Sequence, residues 1–146
     1  MVVVTPGGFP RDIALHQSQK TMSTAELVVA EGGVIVLIAE CSDRIGKFAP
    51  WLTGAKSPQE VVDRFTREGF TREHSSKAFM CARALAKYPV VVSCSGISKS
   101  ELEAMFFRHA GTAQDAVNLA VEMKGGNARV LILPYAVDCV PKVSPS

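Results

Sequence analysis

Four short apolar runs divide the chain, and polar or glycine-rich segments separate them. Residues 34–39 are continuously apolar and residues 90–94 are apolar except for Ser93, without alternation. Such runs are typical of strands that are buried on both faces of a parallel sheet. Mainly apolar segments at residues 2–5 and 129–133 predict two further strands. We therefore expect a mostly parallel sheet of four strands.

Helical spacing fills the segments between these runs. Ser57, Ser98 and Thr112 each stand three positions before an acidic residue, which is the pattern of a capped helix start. Ser23, three positions before a glutamate, predicts a short helix over residues 25–31. Thr71 is predicted to cap the helix that ends at Tyr88-Pro89, because a helix rarely continues into a proline.

The order of strands and helices predicts one α/β domain over residues 1–146, a three-layer Rossmann-like arrangement with helices on both faces of an open sheet. Ligands of such sheets bind at the carboxyl ends of the strands. The loops expected at that edge are residues 5–12, 40–46 and 94–99.

The first of these loops leads into an unusually polar helix. Asp12 is predicted to cap it near Ile13, and His16, Gln17 and Lys20 follow. At roughly 100° per residue, His16 and Lys20 lie about 40° apart and Gln17 about 100° from His16. One arc then presents an imidazole, a carboxamide and an ammonium group, which suits a small carboxylate. A solvated helix face is the alternative interpretation.

The same residues carry a family resemblance. The segments GGFPRDIALHQSQKTMSTAE and EGGVIVLIAECSDRIG resemble the C-terminal domain of the nickel-dependent lactate racemase family. Gln17 and Lys20 stand where that family has a substrate-binding Gln and Lys. The chain departs from the family at Pro6, where Asn is frequent, and at His16, where the best-known member has Tyr.

The resemblance implies a two-domain racemase or epimerase of 2-hydroxy acids, an isomerase that uses a nickel-pincer nucleotide. It implies that the N-terminal catalytic domain holds that cofactor, the nickel ligand and the acid/base histidines. The present chain would close over the site and bind substrate through His16, Gln17 and Lys20. It would contain no catalytic or metal-binding residue, and alone it would be folded but inactive. Met1 is then expected to be an introduced start.

Composition excludes several other classes. A net charge of +2 without a basic run argues against nucleic acid as a partner. Apolar runs are too short for a membrane helix or signal peptide. The four cysteines lack C-x-x-C spacing and the three histidines are far apart, so we expect reduced structural thiols, a cytoplasmic location and no metal site.

Other interpretations stay open at this stage. Pro6-Gly7-Gly8 forms a tight turn or a weak nucleotide loop, although the dinucleotide pattern G-x-G-x-x-G is absent. The segment from Cys94 to Ser100 lacks the arginine of a thiolate phosphatase loop. Its serine-rich helix start is either a satisfied cap or a weak anion site. A freestanding small-anion-binding module is therefore the alternative function.

Overall fold

A computed structural model describes residues 1–70, 73 and 75–142 of the chain. Within them, five strands form one parallel sheet in the order β4-β3-β2-β1-β5. The strands are β1 (Val2–Val4), β2 (Ile35–Ile38), β3 (Val90–Ser93), β4 (Arg108–Ala110) and β5 (Leu131–Leu133). The predicted α/β fold with a parallel sheet is confirmed.

β4 is the strand that the apolar pattern missed. Its three residues, Arg108, His109 and Ala110, pair with β3 at one edge of the sheet. An edge strand has a neighbour on one side and stays partly exposed, so it needs no continuous apolar run. The expected four-stranded sheet therefore has five strands in the described part of the chain.

Seven helices connect these strands in the described residues. They are α1 (Leu15–Ser18), α2 (Lys20–Glu26), α3 (Ala49–Thr53), α4 (Pro58–Glu68), α5 (Ser75–Lys87), α6 (Lys99–Ala104) and α7 (Ala113–Met123). None of the helices in residues 1–70 and 75–142 is both long and apolar enough to cross a lipid bilayer.

The sheet separates two hydrophobic clusters. Val2 and Val4 of β1 point to the side where the buried residues of α1 to α6 pack. Val3 points to the opposite side, where Ala116 and Ala120 of α7 cover the sheet. Helices therefore lie on both faces, as predicted, but the two outer layers are very unequal.

The direction of strand addition reverses beside β1. The chain moves outward from β1 through β2 and β3 to β4, and then returns to place β5 on the other side of β1. Val3 pairs with Val36 of β2 and with Ile132 of β5. The carboxyl end of β1 therefore opens next to the topological switch point, where open α/β sheets usually bind ligands.

Three of the predicted helix starts are confirmed. The side chains of Ser57, Ser98 and Thr112 each accept a hydrogen bond from the backbone N–H three residues later. The backbone N–H of Ser98 also donates to the Glu101 side chain, which completes a capping box. Thr71 lies outside the described residues.

Two predicted caps are wrong. The residue before α1 is Ala14 rather than Asp12, and it makes no side-chain capping bond. Ser23 lies inside α2, which begins at Lys20 and ends at Glu26, so the predicted helix over residues 25–31 is not formed. The polar residues around Lys20 continue the helical path of α1 through Gln19 in αR conformation, which leaves no separate start at Ser23.

The polar helix also buries more of its surface than the sequence indicates. Ser18, Gln19 and Thr21 are buried alongside Leu15 and Met22. The Ser18 hydroxyl donates to the carbonyl of Ala14 and the Thr21 hydroxyl to that of Ser18. Because these hydroxyls find partners within the helix, small polar residues can occupy its core-facing side.

A partly buried ion pair joins α2 to α5. Arg83 donates two hydrogen bonds to the Glu26 carboxylate, at 3.2 and 2.7 Å. The Glu26 side chain is 8% exposed and that of Arg83 is 37% exposed. Glu26 therefore depends on Arg83 for compensation of its buried charge.

We expect Arg83→Ala to lower the free energy of unfolding by about 1.5 to 3 kcal/mol, since it leaves a buried carboxylate without its charge-assisted bonds. Urea denaturation measures this change. Lys99→Ala is the control, because Lys99 and Glu103 form an exposed pair at 3.7 Å that contributes little. Equal losses in the two variants would contradict the proposed importance of the buried pair.

Candidate functional site

The three loops predicted at the carboxyl edge meet there. The backbone N–H of Cys41 donates to the carbonyl of Asp12 at 2.8 Å, which joins the second loop to the first. The N–H groups of Ser95 and Gly96 both donate to the carbonyl of Glu40, at 3.2 and 3.1 Å. The predicted ligand-facing loops are therefore held together by their backbones.

The second loop also positions the start of α1. The N–H of Leu15 donates to the carbonyl of Arg44 and that of His16 to the carbonyl of Ile45, at 2.9 and 3.0 Å. The first N–H groups of a helix have no partner within the helix. Loop carbonyls supply that partner here, which explains why Asp12 does not cap the helix.

Gln17 and Lys20 lie side by side at this edge. Lys20 Nζ donates to Gln17 Oε1 at 2.5 Å, and both residues are half-buried. Residues three apart on a helix are neighbours, and the interruption at Gln19 preserves that relation. The structure therefore brings together two of the three predicted site residues.

His16 contacts a different part of the edge. Its ring centroid lies 6.0 Å from that of Phe48, with the rings tilted by 51°. A Cβ at Gly46 would stand 2.7 Å from the Cβ of His16, so the backbone of the second loop passes directly beside this side chain. These contacts thus place His16 against Phe48 and the second loop.

The glycine turn that precedes α1 is tight, as one interpretation predicted. Gly7 and Gly8 both have positive φ. A Cβ at Gly7 would lie 2.5 Å from the ring of Tyr135, which follows β5. Gly7 therefore allows the first loop to pack closely against the segment after β5, at the switch point of the sheet.

The helix start after β3 is a satisfied cap. In α6, which has six residues, the N–H groups of Ser98 and Glu101 both find partners in the reciprocal bonds between these two residues. Arg44 pairs with the Glu101 carboxylate. The alternative of a weak anion site at this position therefore has no support, and a freestanding anion-binding module would depend on the polar residues of α1 and α2.

Two thiols also meet beneath these loops. Cys41 follows β2 and Cys94 follows β3, and their side chains share a hydrogen bond. That bond, with N–H donors of Ile97 and Gly96, lowers the pKa of Cys94 to about 7 despite burial. The same bond and burial raise the pKa of Cys41. The sequence predicts two separate structural thiols, because no local pattern indicates that the two side chains meet.

The edge contains little that could bind a metal ion. No group of three His, Cys, Asp or Glu side chains with the geometry of a metal site occurs in the described part of the chain. Asp12 Oδ1 and Gln19 Oε1 are the buried side-chain oxygens that lack a hydrogen-bond partner among those residues. A groove of about 640 Å³ opens at the opposite edge, between the first residues of β1 and β5, away from these groups.

Known proteins share this arrangement. The family described as the lactate racemase C-terminal domain matches residues 1–140. The chain belongs to this family. Membership accounts for the resemblance of residues 7–26 and 31–46, and it extends that resemblance from a few motifs to nearly the whole chain.

Two relatives are themselves lactate racemases. The enzyme of Thermoanaerobacterium thermosaccharolyticum is 27% identical over 144 residues, which are 96% of this chain and 34% of the relative. The enzyme of Lactiplantibacillus plantarum is 27% identical over 146 residues, which are 97% of this chain and 34% of the relative. This chain thus spans about a third of the length of the lactate racemases that it matches.

A solved structure confirms the fold of this lactate racemase C-terminal domain. The lactate racemase apoprotein from Thermoanaerobacterium thermosaccharolyticum superimposes with a TM-score of 0.90 at 27% identity. The superposition covers 95% of this chain and 34% of that one. The five-stranded sheet and its carboxyl-edge loops therefore belong to a unit that recurs inside a longer protein.

A substitution at Gly96 tests the close approach of this residue to the second loop. A Cβ at Gly96 would lie 1.8 Å from the carbonyl oxygen of Cys41, so Gly96→Ala must separate two loop backbones. We expect a loss of about 3 kcal/mol in the free energy of unfolding. Thermal and urea denaturation both measure it.

Gly111→Ala is the matched control. The nearest atom to a Cβ at Gly111 is Asp115 Oδ2, at 3.8 Å, which is an ordinary contact. The change should be within about 0.5 kcal/mol. If Gly96→Ala is as mild as the control, the loops at the carboxyl edge are not in the close contact described above.

Proposed function

We propose that this chain is the C-terminal domain of a two-domain racemase or epimerase and binds the carboxylate of a small 2-hydroxy acid. The observation that carries the proposal is the pair formed by Gln17 and Lys20 at the carboxyl edge of the sheet. These two residues stand where the resemblance to the lactate racemase family assigns substrate binding. Residues 1–146 are one domain in this proposal.

The pair has the chemistry that a carboxylate requires. The Lys20 ammonium is a compact positive charge, and in the free chain it donates to the neutral amide oxygen of Gln17. A carboxylate is a stronger acceptor for that ammonium than an amide. When a carboxylate takes this place, Gln17 is released and can turn its NH₂ group toward the second carboxylate oxygen.

Holding the acid at both oxygens would orient its α-carbon. A substrate fixed in this way presents the C–H and O–H bonds of that carbon in one direction, which is the main contribution that a binding residue makes to catalysis. Because Gln17 and Lys20 sit on helices anchored to the loop of residues 40–46, their positions are set before the substrate arrives. The chain thus supplies orientation rather than bond-breaking groups.

The remaining chemistry belongs to the rest of the enzyme in this proposal. A nickel-pincer nucleotide would be held mainly by an N-terminal catalytic domain, as the family resemblance implies. When bound, such a cofactor supplies a hydride acceptor for the substrate carbon. The chain spans 34% of the two lactate racemases, and this leaves ample length for that domain.

Lys20→Ala tests the carboxylate contact in the full-length enzyme. Loss of a charge-assisted bond of about 1.5 to 3 kcal/mol lowers kcat/KM by roughly 10- to 150-fold. Gln17→Ala should cost less, because it removes a neutral donor. The melting temperature should hardly change in either variant, since both side chains lie at an edge rather than in the core.

Lys87→Ala is the control for the removal of a lysine. Lys87 is exposed and ends α5 at the amino edge of the sheet, so kcat/KM should not change. If Lys20→Ala instead lowers the melting temperature by many degrees and leaves kcat/KM nearly intact, Lys20 has a structural role and the proposal fails.

We further propose that His16 selects among 2-hydroxy acids. An imidazole is shorter than the phenol of the best-known family member, and it can carry a positive charge. A cation close to Lys20 favours a substrate with a second carboxylate or several oxygens. The full-length enzyme is therefore expected to act better on malate or a sugar acid than on lactate, and His16→Tyr should shift the kcat/KM ratio toward lactate.

His109→Tyr is the matched control, because His109 is a half-buried histidine in β4 at the edge of the sheet. The same substitution there should leave the ratio of kcat/KM values for lactate, malate and a sugar acid unchanged. An unchanged ratio in His16→Tyr as well would show that His16 does not discriminate between substrates.

A further inference from the structure

The contact between Cys41 and Cys94 is a chemical feature that carboxylate binding does not use. Ile38 and Ser93 are register partners at the ends of β2 and β3, so the residues that follow leave the sheet side by side. The carbonyl of Glu40 accepts from the N–H groups of Ser95 and Gly96. Backbone hydrogen bonds therefore hold the two thiols together.

The approach of the two loops leaves little freedom to separate them. The backbone at Gly96 passes so close to the carbonyl of Cys41 that no Cβ fits between them. Cys41 itself has a φ of 56°, which is uncommon for a residue with a side chain. The two cysteines thus have fixed positions, and a bond between them does not require a distant segment to move.

The surroundings give the two thiols different roles. Cys94 accepts N–H donors from Gly96 and Ile97 as well as the hydrogen bond with Cys41, and its pKa falls to about 7. Cys41 keeps its proton, because the bond to Cys94, burial and the nearby Asp12 carboxylate all raise its pKa. Cys94 is therefore the nucleophile of the pair, since a thiolate rather than a thiol attacks an oxidant.

We propose that Cys41 and Cys94 form a peroxide-reactive dithiol site that closes to an intramolecular disulfide. The Cys94 thiolate attacks one oxygen of hydrogen peroxide, the O–O bond breaks, and a sulfenic acid and hydroxide are formed. The hydroxide takes up the proton that Cys94 released on ionisation and becomes water. The sulfur of Cys41 then attacks the sulfenic sulfur, the S–O bond breaks, and the proton of Cys41 leaves with the hydroxide as a second water. Two thiols and one peroxide give one disulfide and two waters.

The two cysteines of the site differ in their exposure to solvent. Cys94 is 9% exposed, whereas Cys41 is fully buried. The first reaction is therefore assigned to Cys94, the residue of the pair that keeps some exposure and carries the thiolate. Cys41 needs no contact with solvent, since its partner is the sulfur beside it.

The other two cysteines provide internal controls. Cys81 is buried in α5, and burial raises the pKa of its thiol, so it should stay reduced. Cys139 is an exposed free cysteine, whereas the other three cysteines are buried. It can join two molecules or become a sulfenic acid, but it should not form the internal bond.

The experiment treats the purified 146-residue chain with one to five equivalents of hydrogen peroxide. Remaining thiols are blocked with an alkylating reagent, and peptides are mapped by mass spectrometry without reduction. We expect a peptide pair linked through Cys41 and Cys94, lighter than its reduced components by two hydrogens and released by a reductant. The same link should form in Cys81→Ser and Cys139→Ser.

Two single variants separate the roles. In Cys41→Ser the sulfenic acid on Cys94 has no resolving thiol, so its labelling by a dimedone reagent should rise at least fivefold over the unaltered chain. In Cys94→Ser the labelling of Cys41 should stay at the level of Cys81. Circular dichroism checks that both variants remain folded.

Either of two results overturns the proposal: no Cys41–Cys94 link in the unaltered chain at five equivalents of peroxide, or oxidation of Cys81 at the same rate as Cys94. The mapping on the unaltered chain decides the matter even if a variant fails to fold.

Discussion

Backbone groups at the carboxyl edge of the sheet must find hydrogen-bond partners, and this requirement organises the rest of the structure. Three loops follow the carboxyl ends of buried strands and meet at one edge of the sheet. The loops satisfy one another through the bonds from Cys41 to Asp12 and from Gly96 to Glu40. Buried N–H and C=O groups are costly without partners. In the same way, the bonds from Leu15 to Arg44 and from His16 to Ile45 fix the start of α1, and with it the positions of Gln17 and Lys20.

Features that depend on local chemistry were predictable from the sequence. A parallel strand that is buried on both faces consists mainly of apolar residues, and such runs correctly predicted β2 and β3. A serine or threonine three positions before an acidic residue caps a helix without any distant partner, and this pattern correctly predicted the starts of α4, α6 and α7. Gln17 and Lys20 are neighbours because of helical spacing alone. The same reasoning failed at α1, since its first N–H groups bond to Arg44 and Ile45.

Features that depend on strand register were not predictable in the same way. β4 is formed because β3 offers a free edge, and the residues Arg108 to Ala110 have no pattern that indicates a strand. The meeting of Cys41 and Cys94 depends on the alignment of Ile38 with Ser93. A signal was present, since Cys94 ends one apolar run and Cys41 lies two residues beyond another. Without the strand order, however, that signal does not distinguish neighbours from distant residues.

The pairing of Lys20 with Gln17 resolves a difficulty that any carboxylate site faces before its ligand arrives. A half-buried ammonium without a partner would lose hydration and gain nothing in return. Donation to the amide oxygen of Gln17 at 2.5 Å compensates it with a neutral group, which adds no charge that would repel a carboxylate. A glutamate at this position would bind Lys20 more strongly and would then have to be displaced against charge repulsion. A glutamine is therefore the better partner for a lysine that must exchange its acceptor.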